Sequence, residues 1–379
     1  MCGIRRFANR AGRQLSWNGA LRGDFIREST SMKRFSLGLS IALRLAATGL
    51  LFLTTAQSSA AQDTSSPRGN AQLYETAKAA SVEVLVNGHL NGSGCFVDPD
   101  GIVLTAAHVI EDPGRRLEVN NPRAGRLAAT VLAVDLGHDL ALLKVESPNG
   151  RFAALEAADQ PPEPGADVFL MGAPIYRHAV LLPGKTASAG TTFEYYADHY
   201  IEITHFAATV PMGMSGGPWL DSTGRLVGIQ SGVMSQNSIP VGIAFVAPLS
   251  SIRRFVKDRQ TAATPTLGLA VDELWQQDRK TLDRFPPDKE GLVVSGLQDD
   301  GPAARSGLKR GDLIVAAGGK KVRLSEELQR IVLDKQPGES LELTALGPDG
   351  TGERKLSAKL GTLETRWQRK AEAGKRKDD

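Results

Sequence analysis

Ser215 stands in the stretch PMGMSGGPWL, residues 211–220, with Gly213, Gly216 and Gly217 around it and Pro218 behind. Glycine costs backbone entropy wherever it is placed. Three of them around one hydroxyl mean either a tight turn or a nucleophile that backbone groups must approach closely. The frame Gly213-Met214-Ser215-Gly216-Gly217 fits two ways of presenting a serine nucleophile, and chain order separates them. On a strand–turn–helix elbow the general-base histidine follows the serine; in the other arrangement the order is His, Asp, Ser. His89, His108, His138, His178, His199 and His205 are all six histidines, and all precede Ser215. The elbow is therefore excluded within this chain and the second order stays open.

The base must take the serine's proton and return it to the leaving amine. His108 lies in VLTAAHVI, residues 103–110, at the end of an apolar strand pattern. The third member is a buried carboxylate that fixes the imidazole tautomer and stabilises the imidazolium. Asp139 in GHDLALLKV precedes an apolar strand, and Asp135 in VLAVDLG competes with it. The other five histidines sit in mostly polar surroundings. For acyl transfer the backbone N–H groups of Gly213 and Ser215 are the expected oxyanion donors, and losing one such donor costs roughly 3 kcal/mol of barrier. Gly216 and Gly217 are then expected to let the substrate chain and His108 come close. Cys95, in GSGCFV, reads as a small buried apolar residue on a strand rather than a reactive thiol.

These residues need strands to hold them. SVEVLV, GCFVDPDGIVLTAAHVI, AATVLAVD, LALLKVE, DVFLMGAP, YIEITHFAATV, GRLVGIQSGV and VGIAFVAP are short apolar runs between turn signals such as DPDG and DSTG. Many short strands at this spacing mean a sandwich or barrels. LSSIRRFVKDR has helical spacing, with Ile252, Phe255 and Val256 on one face. QTAATPT reads as a linker. From Leu267 to near Gly361 a second unit with strands around two helices follows.

LTAAHV resembles the histidine motif of trypsin-like proteases, and HDLALLKV resembles their D-(I/L)-A-L-L-(K/R) segment, which selects Asp139. With GSGCFVDPDGIVLTAAHVI, GMSGGPWLDSTGRLVGIQS and GIAFVAP, the chain from about residue 75 to 361 resembles the HtrA family. The spacings, 31 residues from His108 to Asp139 and 76 to Ser215, suit a trimmed two-barrel protease of that kind. The C-terminal unit resembles a PDZ domain through EGLVVSGLQDDGPAARSGLKRGDLIVAAGGKKV. The resemblance implies a mainly β fold: a chymotrypsin-like double β-barrel followed by a small α+β PDZ domain. It implies catalysis by His108, Asp139 and Ser215. It implies a substrate pocket at Thr209, Val233 and Ala244 with no acid at its floor, hence cleavage after Val, Ala or Ile rather than Lys or Arg. It implies a carboxylate-binding loop at Leu267, Gly268 and Leu269, where a C-terminal peptide is captured as an added strand. Met214 departs from the family's usual asparagine, and Thr266 stands where an aromatic residue is common. Expected partners are unfolded polypeptides, C-terminal peptides and further copies of the chain, a trimer by resemblance; AQLYETAKAASV is a candidate contact. No cofactor is expected, and no zinc-type spacing occurs. The competing reading is a proteolytically silent chaperone or adaptor.

Composition bounds the rest. The 379 residues are 41% hydrophobic and 23% charged, with 40 glycines and 20 prolines, ordinary for a turn-rich globular chain. The net charge of +3 misleads, because residues 1–60 carry +7 and the remainder −4. A mildly acidic body gives no reason to expect nucleic-acid binding. No run of about 18 apolar residues occurs. From Met32, MKRFSLGLSIALRLAATGLLFLTTAQSSAAQD has the layout of a signal peptide, with cleavage expected near Ala60 or Ala61. An uncleaved membrane anchor is the alternative, since Arg44 shortens the apolar run. Export to the periplasm or bacterial envelope follows, in keeping with the near absence of cysteine. The expected organisation is a leader at 1–61 with its true start at Met32, a protease domain at 62–256, a linker at 257–265, a PDZ domain at 266–361 and a basic tail at 362–379.

Overall fold

The computed structural model describes residues 67–110, 116–146, 151–196 and 198–364. The leader and the basic tail beyond residue 364 lie outside the described residues. An amphipathic helix α1 (Pro67–Ala80) leads in, with Leu73 and Ala77 buried. Six antiparallel strands then close a barrel: β1 (Ser81–Val86), β2 (His89–Asp98), β3 (Ile102–Ala106), β4 (Leu117–Asn121), β5 (Gly125–Asp135) and β6 (Leu140–Val145), in the order β1-β2-β3-β6-β5-β4. Its interior is built from the inward residues of the alternating runs, among them Val84, Phe96, Val103, Val119 and Leu143.

The second sheet contains β7 (Asp167–Gly172), β8 (Val180–Thr186), β9 (Thr192–Tyr196), β10 (His199–Ala207), β11 (Pro218–Asp221), β12 (Leu226–Gln236) and β13 (Ile239–Pro248). The β13–β10 pairing closes it into a second barrel around Leu170, Phe206, Trp219 and Val246. Strand β10 does two things. Its residues 204–207 pair with β13 inside the barrel, whereas residues 199–203 pair with β9, so a β9–β10 hairpin extends beyond the barrel wall. Leu104 and Leu142 of the first barrel, Met171 and Leu220 of the second, and Ile252 and Phe255 of α2 (Leu249–Asp258) form one buried cluster. The expected apolar face of α2 is thereby buried. Helix α1 packs Leu73 and Ala77 into the same cluster, so part of the segment read as an oligomer contact is covered by its own chain.

The segment after α2 is docked rather than free. Ala262 N–H donates to Val134 O (2.9 Å), and Val134 N–H donates to Thr261 Oγ1 (3.3 Å). Beyond it, β14 (Pro265–Thr266) precedes β15 (Leu269–Glu273), and a short α3 (Arg279–Leu282) leads to β16 (Leu292–Leu297). The α+β unit continues with α4 (Pro302–Arg305), β17 (Leu313–Ala317), β18 (Lys320–Lys321) and α5 (Ser325–Leu333). It ends with β19 (Ser340–Leu346), β20 (Arg354–Lys359) and β21 (Gly361–Thr362). Strand β15 is an edge of the sheet β15-β16-β17-β19-β20, and Leu328 and Val332 of α5 share its core. Asp312 is fully buried, where its carboxylate accepts from Lys309 N–H (2.8 Å) and from Arg354 (2.6 Å). Asp312 is thus part of this unit's core, whereas Arg310 beside it is exposed.

Candidate active site

His108 sits in one turn of 3-10 helix directly after β3, and Asp139 directly before β6, which is hydrogen-bonded to β3. The strand pairing therefore delivers the two side chains to one barrel rim. His108 Nδ1 is 2.8 Å from Asp139 Oδ2, and the backbone N–H of His108 donates to Asp139 Oδ1 (3.0 Å). Asp139 is 4% exposed and adopts a left-handed conformation, φ 53°. Ala107 N–H donates to its carbonyl (2.9 Å). Of the two candidate aspartates the structure brings Asp139 to His108; Asp135 is paired with His138 instead, Oδ2 to Nδ1 at 2.8 Å.

The serine turn runs between the barrels. Ser93 N–H donates to Ser215 O (2.7 Å), Gly216 N–H to Gln230 O (2.7 Å), and Ser215 Oγ to Ser231 O (3.4 Å). Gly216 has φ +81°, and a Cβ there would lie 2.2 Å from Ser93 O and 2.9 Å from Ala106 N. A Cβ on Gly217 would lie 2.5 Å from Met171 O. These two glycines admit the close approach of the chain's own strands β2, β3 and β7, and β3 leads into His108. Gly213 has φ +94°, and a Cβ would lie 2.5 Å from Ala173 O. Ile175 N–H holds Met212 O (2.9 Å). Because the peptide is trans, it presents the Gly213 N–H on its opposite edge.

Met214 is fully buried among Leu170, Trp219 and Ala244. An apolar cluster holds this position, where a polar side chain would need partners. Val233 and Ala244 are register partners across β12 and β13 and share that cluster, whereas Thr209 is exposed and its buried neighbour is Val210. Cys95 is fully buried on β2, and burial pushes its thiol up, away from the reactive thiolate.

Three residues that sequence reasoning passed over complete the site. Ser93, fully buried, donates from Oγ to Gly213 O (2.8 Å) and accepts from Ala173 N–H (3.0 Å), so it braces both loops around the serine turn. Tyr196 stands edge-on to the His108 ring, centroids 5.6 Å apart at 76°. Tyr200, on the same hairpin, reaches the α+β unit: its hydroxyl donates to Val271 O and accepts from Val271 N–H, both 3.1 Å, on the edge strand β15. Its ring packs on the core that includes Leu269, Val271 and Leu328, and burial raises its phenol. The hairpin also meets α5, where Thr192 bonds Glu326 (3.3 Å) and Arg330 lies over the Phe193 ring at 5.4 Å. Of the expected carboxylate-loop donors, Gly268 N–H is taken by Thr266 Oγ1 (3.0 Å). A cavity of about 30 Å³ remains between this loop and His199, Tyr200 and Phe193.

Family models match a trypsin-like peptidase domain over residues 92–229 and a PDZ domain over residues 265–351. The chain is 30% identical over 257 residues to a probable periplasmic serine endoprotease DegP-like of Brucella suis biovar 1, covering 67% of this chain and 49% of that protein. It is 29% identical over 267 residues to serine protease HTRA1 of Xenopus tropicalis, covering 67% and 56%. The chain thus spans about half the length of the curated relatives it matches. Among solved structures, the HtrA-type protease AlgW with decapeptide superposes with a TM-score of 0.57 at 21% identity, covering 78% of this chain and 98% of that one. The serine endoprotease from Yersinia pestis superposes at 0.53 with 22% identity, covering 78% and 98%. Among the described residues no helix is long and apolar enough to cross a membrane.

Proposed function

Because this chain belongs to the HtrA-type trypsin-like serine proteases, a trypsin-like peptidase domain followed by a PDZ domain, we propose that it is an exported, ATP-independent endopeptidase that cleaves unfolded or damaged envelope proteins. The observation that carries this reading is the doubly bonded His108–Asp139 pair, 2.8 Å and 3.0 Å, on the rim against which the Ser215 turn is packed. Ser215 Oγ attacks the scissile carbonyl while His108 takes its proton; Asp139 holds the imidazole tautomer and the imidazolium. The amine leaves with the proton from His108, and water then hydrolyses the acyl-enzyme by the same route. The Gly213 and Ser215 N–H groups receive the oxyanion. Val233 and Ala244 give the substrate pocket an apolar wall without an acid, which favours cleavage after small apolar residues.

In this reading the peptidase occupies residues 62–256 and the PDZ domain residues 266–361. The outer edge of β15, with α5 beside it, takes a C-terminal peptide as an added strand. Tyr200 holds that edge, so a peptide must displace it. The protein works in the periplasm, as the names of its relatives support, and as a homo-oligomer, a trimer by resemblance.

The test is hydrolysis of unfolded casein by the protein from residue 62 onward and by its Ser215→Ala twin, with and without an apolar C-terminal peptide. Cleavage by the parent alone is expected, rising with peptide. No cleavage by either, with peptide still bound, would turn the assignment to a silent adaptor.

A further inference from the structure

Buried Asp135 and His138 and half-buried Glu202 form a second cluster of titratable groups beside the triad. His138 is the last residue of the 3-10 turn (Leu136–His138) that leads directly into Asp139. Its Nδ1 is 2.8 Å from Asp135 Oδ2 at the end of β5, and its Nε2 is 3.2 Å from Glu202 Oε2 on β10 of the second barrel. A neutral imidazole has one donor and one acceptor nitrogen, whereas both nitrogens donate in the imidazolium. Two carboxylates on the two nitrogens therefore call for the charged ring.

The turn that His138 terminates carries a strained residue. Asp139 is left-handed, a conformation that costs a non-glycine residue stability and is kept only where the surroundings impose it. Its own bond into the turn, N–H to Leu136 O, is long at 3.4 Å. The His138 ring supplies a firmer anchor one residue away, and it reaches across to the other barrel. Glu202 passes the contact on: Arg330 of the PDZ helix α5 lies 4.0 Å from its other oxygen, and Thr191 bonds that same oxygen.

We propose that His138, clamped between Asp135 and Glu202, is a positioning residue for the reaction: its imidazolium holds the turn that presents Asp139 to His108 and ties that turn to the second barrel. The inference rests on the protease reading above. The groups that face the clamp are Asp135 from β5, Glu202 from β10, Arg330 from α5, Arg254 and Asp258 from α2, and Lys335 across the cleft. Burial by itself lowers the His138 pKa, but the bonds to Asp135 and Glu202 outweigh it and raise it to about 9. Above that pH the ring becomes neutral, one nitrogen turns a lone pair toward a carboxylate, and the anchor opens.

The experiment compares the wild type with His138→Gln and Glu202→Gln on a quenched casein-derived peptide, from pH 6 to 10.5, with rates normalised by fluorophosphonate titration of Ser215. The wild type should lose kcat/KM as pH rises past about 9. In His138→Gln, kcat should fall about tenfold or more, within the ~100-fold that a ~1 Å misplacement can cost, with KM unchanged and the alkaline limb gone. In Glu202→Gln the limb should persist but move to lower pH. Histidine NMR of the Ser215→Ala protein should show one imidazole that stays protonated to near pH 9 and disappears in the His138→Gln double variant. An active wild type whose His138→Gln variant keeps the same pH profile per competent site overturns this inference alone. A wild type that neither cleaves nor labels overturns the protease reading and this role with it.

Discussion

Replacing Tyr200 with phenylalanine should make the PDZ groove easier to occupy, by an amount the structure allows to be worked out. The Tyr200 hydroxyl takes both the N–H and the C=O of Val271, at 3.1 Å each, on the strand edge proposed to take the peptide. A peptide therefore binds only the fraction of molecules in which the hairpin has let go, and its apparent affinity is reduced by that fraction. Each neutral hydrogen bond contributes about 0.5–1.5 kcal/mol net, so Tyr200→Phe weakens the closed state by about 2 kcal/mol. Since ~1.4 kcal/mol is tenfold in affinity, peptide binding should tighten about 30-fold. The ring is kept, so its packing on Leu269 and Leu328 persists and the effect isolates the hydroxyl. Calorimetric titration of an apolar C-terminal peptide into Ser215→Ala and Ser215→Ala/Tyr200→Phe measures it without cleavage. Equal affinity, or weaker binding by the phenylalanine variant, would refute the claim that Tyr200 guards this edge.

Two further outcomes follow from buried polar groups. Ser93→Ala leaves Gly213 O and Ala173 N–H without their side-chain partner. At about 1–3 kcal/mol for each buried group left unsatisfied, melting by calorimetry should fall by several degrees, and kcat should drop because Gly213 is released; a variant with both unchanged would contradict the bracing role. His138 gives a pH dependence with a fixed sign. Its folded pKa of about 9 lies above its ordinary 6.5, so the stability it adds, about 3 kcal/mol, is fully present below pH 6.5 and is lost as pH rises through 9. Urea unfolding at pH 6 and pH 9.5 should show that loss in the wild type and a much smaller one in His138→Gln.

What the sequence disclosed and what it hid divide along a physical line. Alternating apolar runs and turn residues are local, and they located β1, β2, β3, β5, β6, β7, β10, β12, β13 and α2. The glycines of the serine turn were legible as places where something comes close, but not what comes close. Close approach is a property of two segments, and for Gly216 the second is Ser93 and Ala106, more than a hundred residues upstream. Ser93 was invisible for the same reason: a small polar residue in a strand carries no sign that its partners are Ala173 and Gly213. The Asp135–Asp139 alternative was settled by a motif frame, and that frame left Asp135 without an occupation. The structure gives it one, and buries His138, whose sequence neighbourhood is mostly polar.

The β9–β10 hairpin takes this furthest. In its sequence, TFEYYADHYIEITHFA, only the second half reads as a strand, and nothing in it announces a second domain. Strand alternation decides what it does. Tyr200 and Glu202 are two apart on β10 and so point to one face, toward the PDZ domain and the His138 clamp, while Ile201 and Ile203 point to the other and are buried. Tyr196 lies across the same hairpin, paired with His199 and edge-on to His108. One strand's period of two thus puts the residue that closes the peptide groove and the residue that anchors the Asp139 turn on a single rigid ladder. Moving Tyr200 out of the groove moves Glu202 with it. If peptide binding alters catalysis, the shift should be carried by Glu202, and Glu202→Gln should blunt the response of kcat to peptide and, because the coupling is reciprocal, tighten peptide binding.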